Sequence, residues 1–265
     1  VLPIILYSSG YRFSFQRFQF LRAGGIFIRS LPATGTRIYI DGKFMQQTSL
    51  LSRSFFLQGL TPRTYTMRIE KDNYFTWEKS LPLLPERLTE VHALLIPQNP
   101  DEGVVLLQGD YTNMHFANSH KDILILTNTK KVDQFFSTDS KTLIPLPGKI
   151  ATSSPIIPEN IKRVMADAKA DGYDYDSAGE RIVWWKNNVI RVRWLKGIDF
   201  LPYYTEEDEA EIYNAPSKIR KVAFYPGQDA IIAAYSNAIM VIELDGRGKR
   251  NMYPLYKGKE PYFEV

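Results

Sequence analysis

Asp174, Asp176 and Glu180 stand in the run 171–180, DGYDYDSAGE, where three carboxylates and a turn at Gly179 could surround a calcium ion. The spacing departs from the EF-hand loop, because no Asp or Asn fills the third ligand place and no glutamate follows at the required distance. A solvated turn ahead of a strand at 182–185 is the favoured reading. Asp171, Asp174 and Asp176 are also the densest acids for hydrolytic chemistry outside the run TEEDEAE. That run holds Glu206, Glu207, Asp208, Glu209 and Glu211, and like charges this close repel and stay hydrated. It is expected to be a surface loop, and with Tyr203 and Tyr204 before it, a place to dock a partner. The basic turn Arg247, Gly248, Lys249, Arg250 is a second candidate contact. No metal site is expected beyond the weak candidate at 174–180, and no cofactor.

The remaining chemistry is excluded residue by residue. His92, His115 and His120 are the only histidines, and none has a partner at metal-ligand spacing. His92 falls in a strand-like run, where a satisfied or edge imidazole is expected. Gly246-Arg247-Gly248 begins like a dinucleotide fingerprint, but the third glycine and the following helix are missing. No Gly-x-Ser-x-Gly elbow or phosphate loop is present. No helix-turn-helix, zinc-finger or RNA-recognition signature appears, so nucleic acid is not an expected partner. Trp184, Trp185 and Trp194 could stack on bases or sugar rings if exposed, but alternating tryptophans in strands usually face a core.

The elements that would position these residues are strands. Over residues 25–97, short alternating apolar and polar runs are punctuated by Pro32, Gly35, Asp41-Gly42, Gly59 and Pro62. Alternation marks half-buried strands, and Asp-Gly between two such runs is a strong hairpin signal. Residues 24–97 are therefore read as a compact β-sandwich and 98–103 (QNPDEG) as a linker. From residue 104 the pattern loosens into repeated short strands. Segments 179–195 and 227–244 each run glycine, apolar strand, Asn-containing turn, apolar strand, at the spacing of propeller blades. Residues 104–265 would hold about four blades at that period, closed or irregular. Within them, 158–169 (PENIKRVMADAK) reads as a short helix, with Ile161, Val164, Met165 and Ala168 on one face.

The lead-in, residues 1–23, leaves two pairs of readings open. Residues 1–7 (VLPIILY) are either the last turn of an upstream membrane anchor or a first buried strand. Residues 11–22 (YRFSFQRFQFLR) interleave aromatics with Arg12, Arg17 and Arg22. They suit a membrane interface, or a strand pair with aromatics inward and arginines outward, the latter being favoured. Charge is uneven: residues 1–100 hold 12 Lys/Arg against 6 Asp/Glu, and residues 101–265 hold 21 against 23. The absence of cysteine excludes disulfides, thiolate metal sites and a cysteine nucleophile.

Residues 25–97 resemble the PEGA domain, a small β-sandwich of bacterial and archaeal surface proteins. The resemblance rests on Pro32-Ala33-Thr34-Gly35, Ile38-Tyr39-Ile40-Asp41-Gly42-Lys43 and Gly59-Leu60-Thr61-Pro62, and on Asn73-Tyr74 followed by Trp77. Three features depart from that pattern, one being Thr48-Ser49 where Thr-Pro usually follows the Asp-Gly hairpin. The eponymous Pro-Glu-Gly-Ala reads Pro-Ala-Thr-Gly, and the glycine before the late tyrosine is Asn73, which tolerates the left-handed backbone. The lead-in is similar to segments that follow a single membrane helix in such proteins, and the region from 104 to the WD- or TolB-type repeats that accompany them. The resemblance implies an extracytoplasmic protein tethered to the cell membrane upstream of Val1.

The resulting expectation is an all-β, non-enzymatic protein: a PEGA-like β-sandwich followed by a partial or irregular β-propeller-like domain. It would present a β-domain to a protein or a cell-envelope glycan. The alternative is an extracytoplasmic sensor or regulatory region of a larger membrane enzyme, such as a kinase or peptidase.

Overall fold

The architecture comes from a computed structural model that describes residues 2–14, 18–99, 106–117, 120–145, 157–197 and 208–265. The fold is mostly β. The chain opens with a seven-residue helix α1 (Leu2–Ser8), then a hairpin of β1 (Tyr11–Ser14) and β2 (Gln19–Arg22). The helix overturns the buried-strand reading of residues 1–7, and its Ile4, Ile5 and Tyr7 are exposed. The strand pair forms as expected, with Arg22 exposed, but Arg12 and two phenylalanines depart from the expected facing. Arg12 turns inward, its Nε donating to the Gly59 carbonyl at 3.0 Å, while Phe18 and Phe20 stand exposed. The physical reason is that a guanidinium finds a carbonyl at the end of the sandwich, where phenylalanine would leave it unpaired.

Two sheets make the sandwich. Strands β3 (Gly24–Leu31), β4 (Arg37–Ile40), β5 (Lys43–Gln47), β6 (Ser54–Leu60), β7 (Thr64–Glu70), β8 (Trp77–Pro82) and β9 (Leu88–Leu94) follow in turn. They order as β6-β3-β9 in one sheet and β5-β4-β7-β8 in the other. Ile26, Ile28, Ile38, Met67, Ile69, Trp77, Leu81 and Val91 fill the space between. The Asp41-Gly42 turn joins β4 to β5 with φ of 50° and 76°, both left-handed as a type I′ hairpin requires. Asn73 takes φ 65°, the left-handed position expected of it. The parallel pairing of β3 with β9 is not visible in local pattern, because it joins segments some sixty residues apart.

Among the described residues, three four-stranded antiparallel meanders follow. The first is β10 (Tyr111–Ala117), β11 (His120–Asn128), β12 (Asp133–Ser137) and β13 (Thr142–Ile144). Helix α2 (Glu159–Ala168) precedes the second, made of β14 (Gly172–Tyr175), β15 (Arg181–Lys186), β16 (Val189–Trp194) and β17 (Glu209–Asn214). The third is β18 (Ile219–Phe224), β19 (Ala230–Tyr235), β20 (Ala238–Glu243) and β21 (Met252–Lys257). Each meander is blade-like, and the two matched segments are the central hairpins β15–β16 and β19–β20 of adjacent sheets.

The sheets stack in layers. One face of the third meander, with Phe224, Ile231, Ala233 and Ile242, packs on Val183, Trp185, Val192 and Trp194 of the second. Its other face, with Ala223, Ile232, Ala234 and Val241, packs on Ile96, Leu94 and Phe75 from the end of the sandwich. Strand β19 is buried at every residue, which explains its unbroken apolar run AIIAAY. The far face of the second meander, with Ile182 and Trp184, is covered by Ile161 and Val164 of α2. Among the described residues three such sheets are seen, with α2 packed on the outer face of the second.

The acidic run is also corrected in part. Glu209 and Glu211 belong to strand β17 rather than to a loop, because Arg191 and Arg193 of the neighbouring β16 pair with them. Cross-strand charge pairs of this kind support the sheet.

Candidate functional site

Lys79 lies on an inward position of β8, between the buried Trp77 and Leu81, and its side chain is fully buried. A buried ammonium needs counter-charges, and the end of β20 with the turn after it supplies them. Lys79 Nζ stands 3.0 Å from Glu243 Oε2 and 3.3 Å from Asp245 Oδ2, and donates to the Asp245 carbonyl at 2.6 Å. Trp77 Nε1 donates to Glu243 Oε1 at 3.2 Å, and Asn251 donates to Glu243 from both its backbone and side chain. Arg247 grips Asp245 through Nε and Nη2 and donates from Nη2 to the Glu90 carbonyl of β9 at 2.8 Å. Phe75 stacks on Tyr253 with centroids 5.5 Å apart, and Tyr253 Oη donates to the Thr76 carbonyl. This clamp locks the sandwich to the third meander. Burial holds the Glu243 carboxyl above its usual range despite Lys79. Asp245, also penalised by burial, is brought below its usual range by the Arg247 hydrogen bond and Lys79.

Beside the clamp a cleft of about 710 Å³ opens between the second and third meanders, lined by Asp174, Asp176, Arg181, Tyr225, Asp229 and Asp245 among others. A smaller hollow of about 480 Å³ continues it toward the sandwich, adding Arg29 and His92 and sharing Arg181, Gly227 and Asp229. Arg181 and Asp229 therefore stand where the two spaces meet. The Asp176 carboxylate accepts from the Glu180 N–H at 2.8 Å and the Arg181 N–H at 3.2 Å, which folds the turn back on itself. It also accepts from Arg181 Nε at 2.8 Å, which fixes the guanidinium. The far side of Arg181 reaches Asp229 Oδ1 at 2.8 Å, and its guanidinium lies 5.1 Å over the Phe224 ring. His92 Nδ1 lies 3.9 Å from Asp229 Oδ2. The interactions with His92 and then Arg181 hold Asp229 below the usual carboxylate range. Asp174 is pushed up by burial, only partly offset by the Phe224 N–H that it accepts at 2.9 Å.

The candidates from sequence distribute as follows. Asp174, Asp176 and Glu180 do come to one cleft wall, but each carboxylate has its own partner, Glu180 pairing with Lys196 at 2.5 Å. No group of three His, Asp or Glu among the described residues could hold a metal ion. Tyr203, Tyr204, Glu206 and Glu207 lie outside the described residues. The Asp208 carbonyl accepts from the Trp194 N–H at 2.9 Å, which continues the β16–β17 pairing. Arg247 faces the sandwich as part of the clamp instead of facing a partner. Lys249 is exposed and Arg250 half-buried beside it. Trp184, Trp185 and Trp194 are core residues.

Sequence reasoning missed Lys79, Arg181, Asp229, Glu243 and Asp245. One signal was available: a lysine on the buried side of an alternating strand, Trp77-Glu78-Lys79-Ser80-Leu81, announces a buried ion pair.

No protein-family model and no curated protein matches this chain. Among solved structures, it is similar to the β-propeller domain of Cps50 (Swd1) from Myceliophteria thermophila at 10% identity, with a TM-score of 0.25. The similarity covers 56% of this chain and 40% of that one, so the chain spans less than half of that domain's length. The blade-like description rests on the sheets themselves. No helix among the described residues is long and apolar enough to cross a membrane.

Proposed function

We propose that this chain is a non-enzymatic binding and scaffold module of the cell envelope. Its sandwich stands on the membrane side, and the groove centred on Arg181 and Asp229 receives a glycan or a protein segment. The observation that carries this reading is that the charged groups of the groove are already paired and held by backbone N–H groups, beside Tyr175, Phe224 and Tyr225. A site built of fixed, mutually neutralised donors and acceptors next to aromatic rings favours ligands rich in hydroxyls and amides over ions. Sugar rings and extended peptides are such ligands. The PEGA resemblance of residues 25–97 supports the envelope location, and the clamp supports a scaffold role by making the groove a fixed feature of the sandwich.

The test is co-sedimentation of the protein with isolated cell-envelope polymer across a salt series, comparing the wild type with Tyr225→Ala and Lys196→Ala. Retention that survives high salt and falls in the Tyr225 variant is expected. Retention that disappears with salt, or that both variants keep unchanged, would remove the groove from consideration.

A further inference from the structure

We propose that the free edge of β6 is a docking site for one extended, uncharged strand of another polypeptide, added to the sheet beside β6. Strand β6 ends the three-stranded sheet β6-β3-β9, which faces the four strands β5-β4-β7-β8. The two sheets are level on the side of β8 and β9. There the Thr89 hydroxyl of β9 donates to the Pro82 carbonyl of β8 at 3.2 Å. The turn after β20 closes both of those edges, with Gly248 against the Ser80 carbonyl and Arg247 donating to the Glu90 carbonyl. The shorter sheet therefore falls one strand short on the other side, beside β6 and across from β5. Burial agrees. Met45 of β5 and Leu57 of β6 turn to the core but stay half-buried, while Ile38 and Ile28 on the strands next to them are buried.

The edge is open and built to pair. Among the described residues, no hydrogen bond from outside its own sheet reaches the backbone of Phe55 through Gln58. The β1–β2 hairpin holds only the end of the strand, where Arg12 donates to the Gly59 carbonyl. Sheet edges are commonly closed to strangers by charges, proline or bulges. Strand β5 carries Lys43, β17 carries Glu209 and Glu211, β21 carries Pro254 and Lys257, and β10 is irregular at both ends. Strand β6 (SFFLQGL) has no charged residue and no proline, and its register with β3 is unbroken from Ser54 to Gln58. On its outer face Phe56 is 52% exposed, edge-on to Phe27 at 6.4 Å.

The width of the gap decides the occupant. A second copy pairing its own β6 here would keep corresponding faces on the same side, as a two-fold antiparallel pair must. It would then bring the opposing sheet of its own sandwich into the space that β5 occupies. A single extended segment brings nothing behind it. Its backbone takes up the open groups of β6, and every second side chain turns in over Met45 and Leu57. Those side chains must be apolar, because a charge placed there would be buried without a partner.

This edge belongs to the sandwich and does not depend on the groove. The probe is a short synthetic peptide of alternating valine and threonine with a lysine at each end, titrated by fluorescence anisotropy. The control is the same peptide N-methylated at alternate residues, which cannot pair through its backbone. Saturable binding of the first and not of the second is expected, with slower hydrogen exchange at the amides of Phe55 to Gln58. Phe56→Lys, at an exposed position, should weaken binding roughly tenfold by removing an aromatic cross-strand contact and placing a cation beside the incoming strand. Met45→Lys, on the opposite sheet, should weaken it as well and serves if the first variant folds poorly. Equal binding of the two peptides would overturn the proposal, as would protection confined to other strands or wild-type affinity in both folded variants. Absence of binding would overturn it too, as would self-association through β6 that leaves no edge for the peptide. Tyr225→Ala should bind the peptide like the wild type.

Discussion

Asp229 and Asp174 show how two acids in one groove take opposite characters from their neighbours. Asp229 is held below the ordinary aspartate value of 3.8 by its interaction with His92 and by Arg181. Its contribution to stability is complete above that value and is lost as pH falls through the depressed folded value. Asp174 is held above 3.8 by burial, so the folded chain takes up its proton first, and acidification toward 3.8 favours the fold. Thermal unfolding of wild type, Asp229→Asn and Asp174→Asn across an acid series should therefore diverge. The wild type's advantage over Asp229→Asn should shrink on acidification below about pH 4, and its stability relative to Asp174→Asn should rise between neutrality and that point. Parallel curves for all three would mean that neither carboxyl is perturbed. None of this could be read from the sequence, where both residues are aspartates near turns. The partners that separate them, His92 on β9 and Phe224 on β18, are far away in the chain.

At the scale of elements, the turn between β20 and β21 explains why Gly246-Arg247-Gly248 looked like the start of a nucleotide motif. Its glycines serve a docking contact instead. Gly248 has φ 63°, and a Cβ there would lie 2.8 Å from the Ser80 carbonyl oxygen of β8. Gly227 has a similar φ of 67° but nothing within 4 Å of the added carbon. Gly227→Ala should therefore cost only the left-handed backbone, about 1 kcal/mol. Gly248→Ala should cost that and the contact with Ser80, about 2–4 kcal/mol in all. Urea unfolding midpoints of the two variants measure the difference, and equal midpoints would show that the turn does not press on the sandwich. Other elements were legible because their causes are local. Asp41-Gly42 and Asn73 adopt the left-handed backbone their residue types favour, and Ile161, Val164, Met165 and Ala168 line one face of α2 at helical spacing. The acidic run misled because hydration was assumed for Glu209 and Glu211, whose arginine partners sit on the next strand.

For the whole molecule, the layered stack from α2 through the second and third meanders to the sandwich makes folding of the parts interdependent. The clamp is its polar fastening. Replacing Lys79 by methionine leaves Glu243 and Asp245 buried without their shared cation, a loss of about 3–5 kcal/mol by the behaviour of broken buried pairs. The sandwich and third meander should melt together in the wild type and separate into two transitions in Lys79→Met, followed by calorimetry and near-ultraviolet circular dichroism. One transition at an unchanged midpoint in that variant would show that apolar packing of Ile96, Phe75 and Tyr253 alone joins the two parts. The groove depends on this joint, because one of its walls carries His92 from the sandwich and another Asp229 from the third meander.

Alternation, turn residues and one helical stripe determined that this chain is mostly β, that Asp41-Gly42 and Asn73 turn through the left-handed backbone, and that a helix falls within 158–169. Those properties follow from a period of two or 3.6 residues and from the backbone freedom of glycine and asparagine, which act within a few residues. Tertiary structure alone decided that Arg12 turns in while Phe18 and Phe20 turn out, that Arg247 fastens two parts together, and that Arg181 and Asp229 meet in a groove. Each of these is an electrostatic or hydrogen-bond pairing across tens of residues or more, and pairing at that range depends on which surfaces the fold brings into contact.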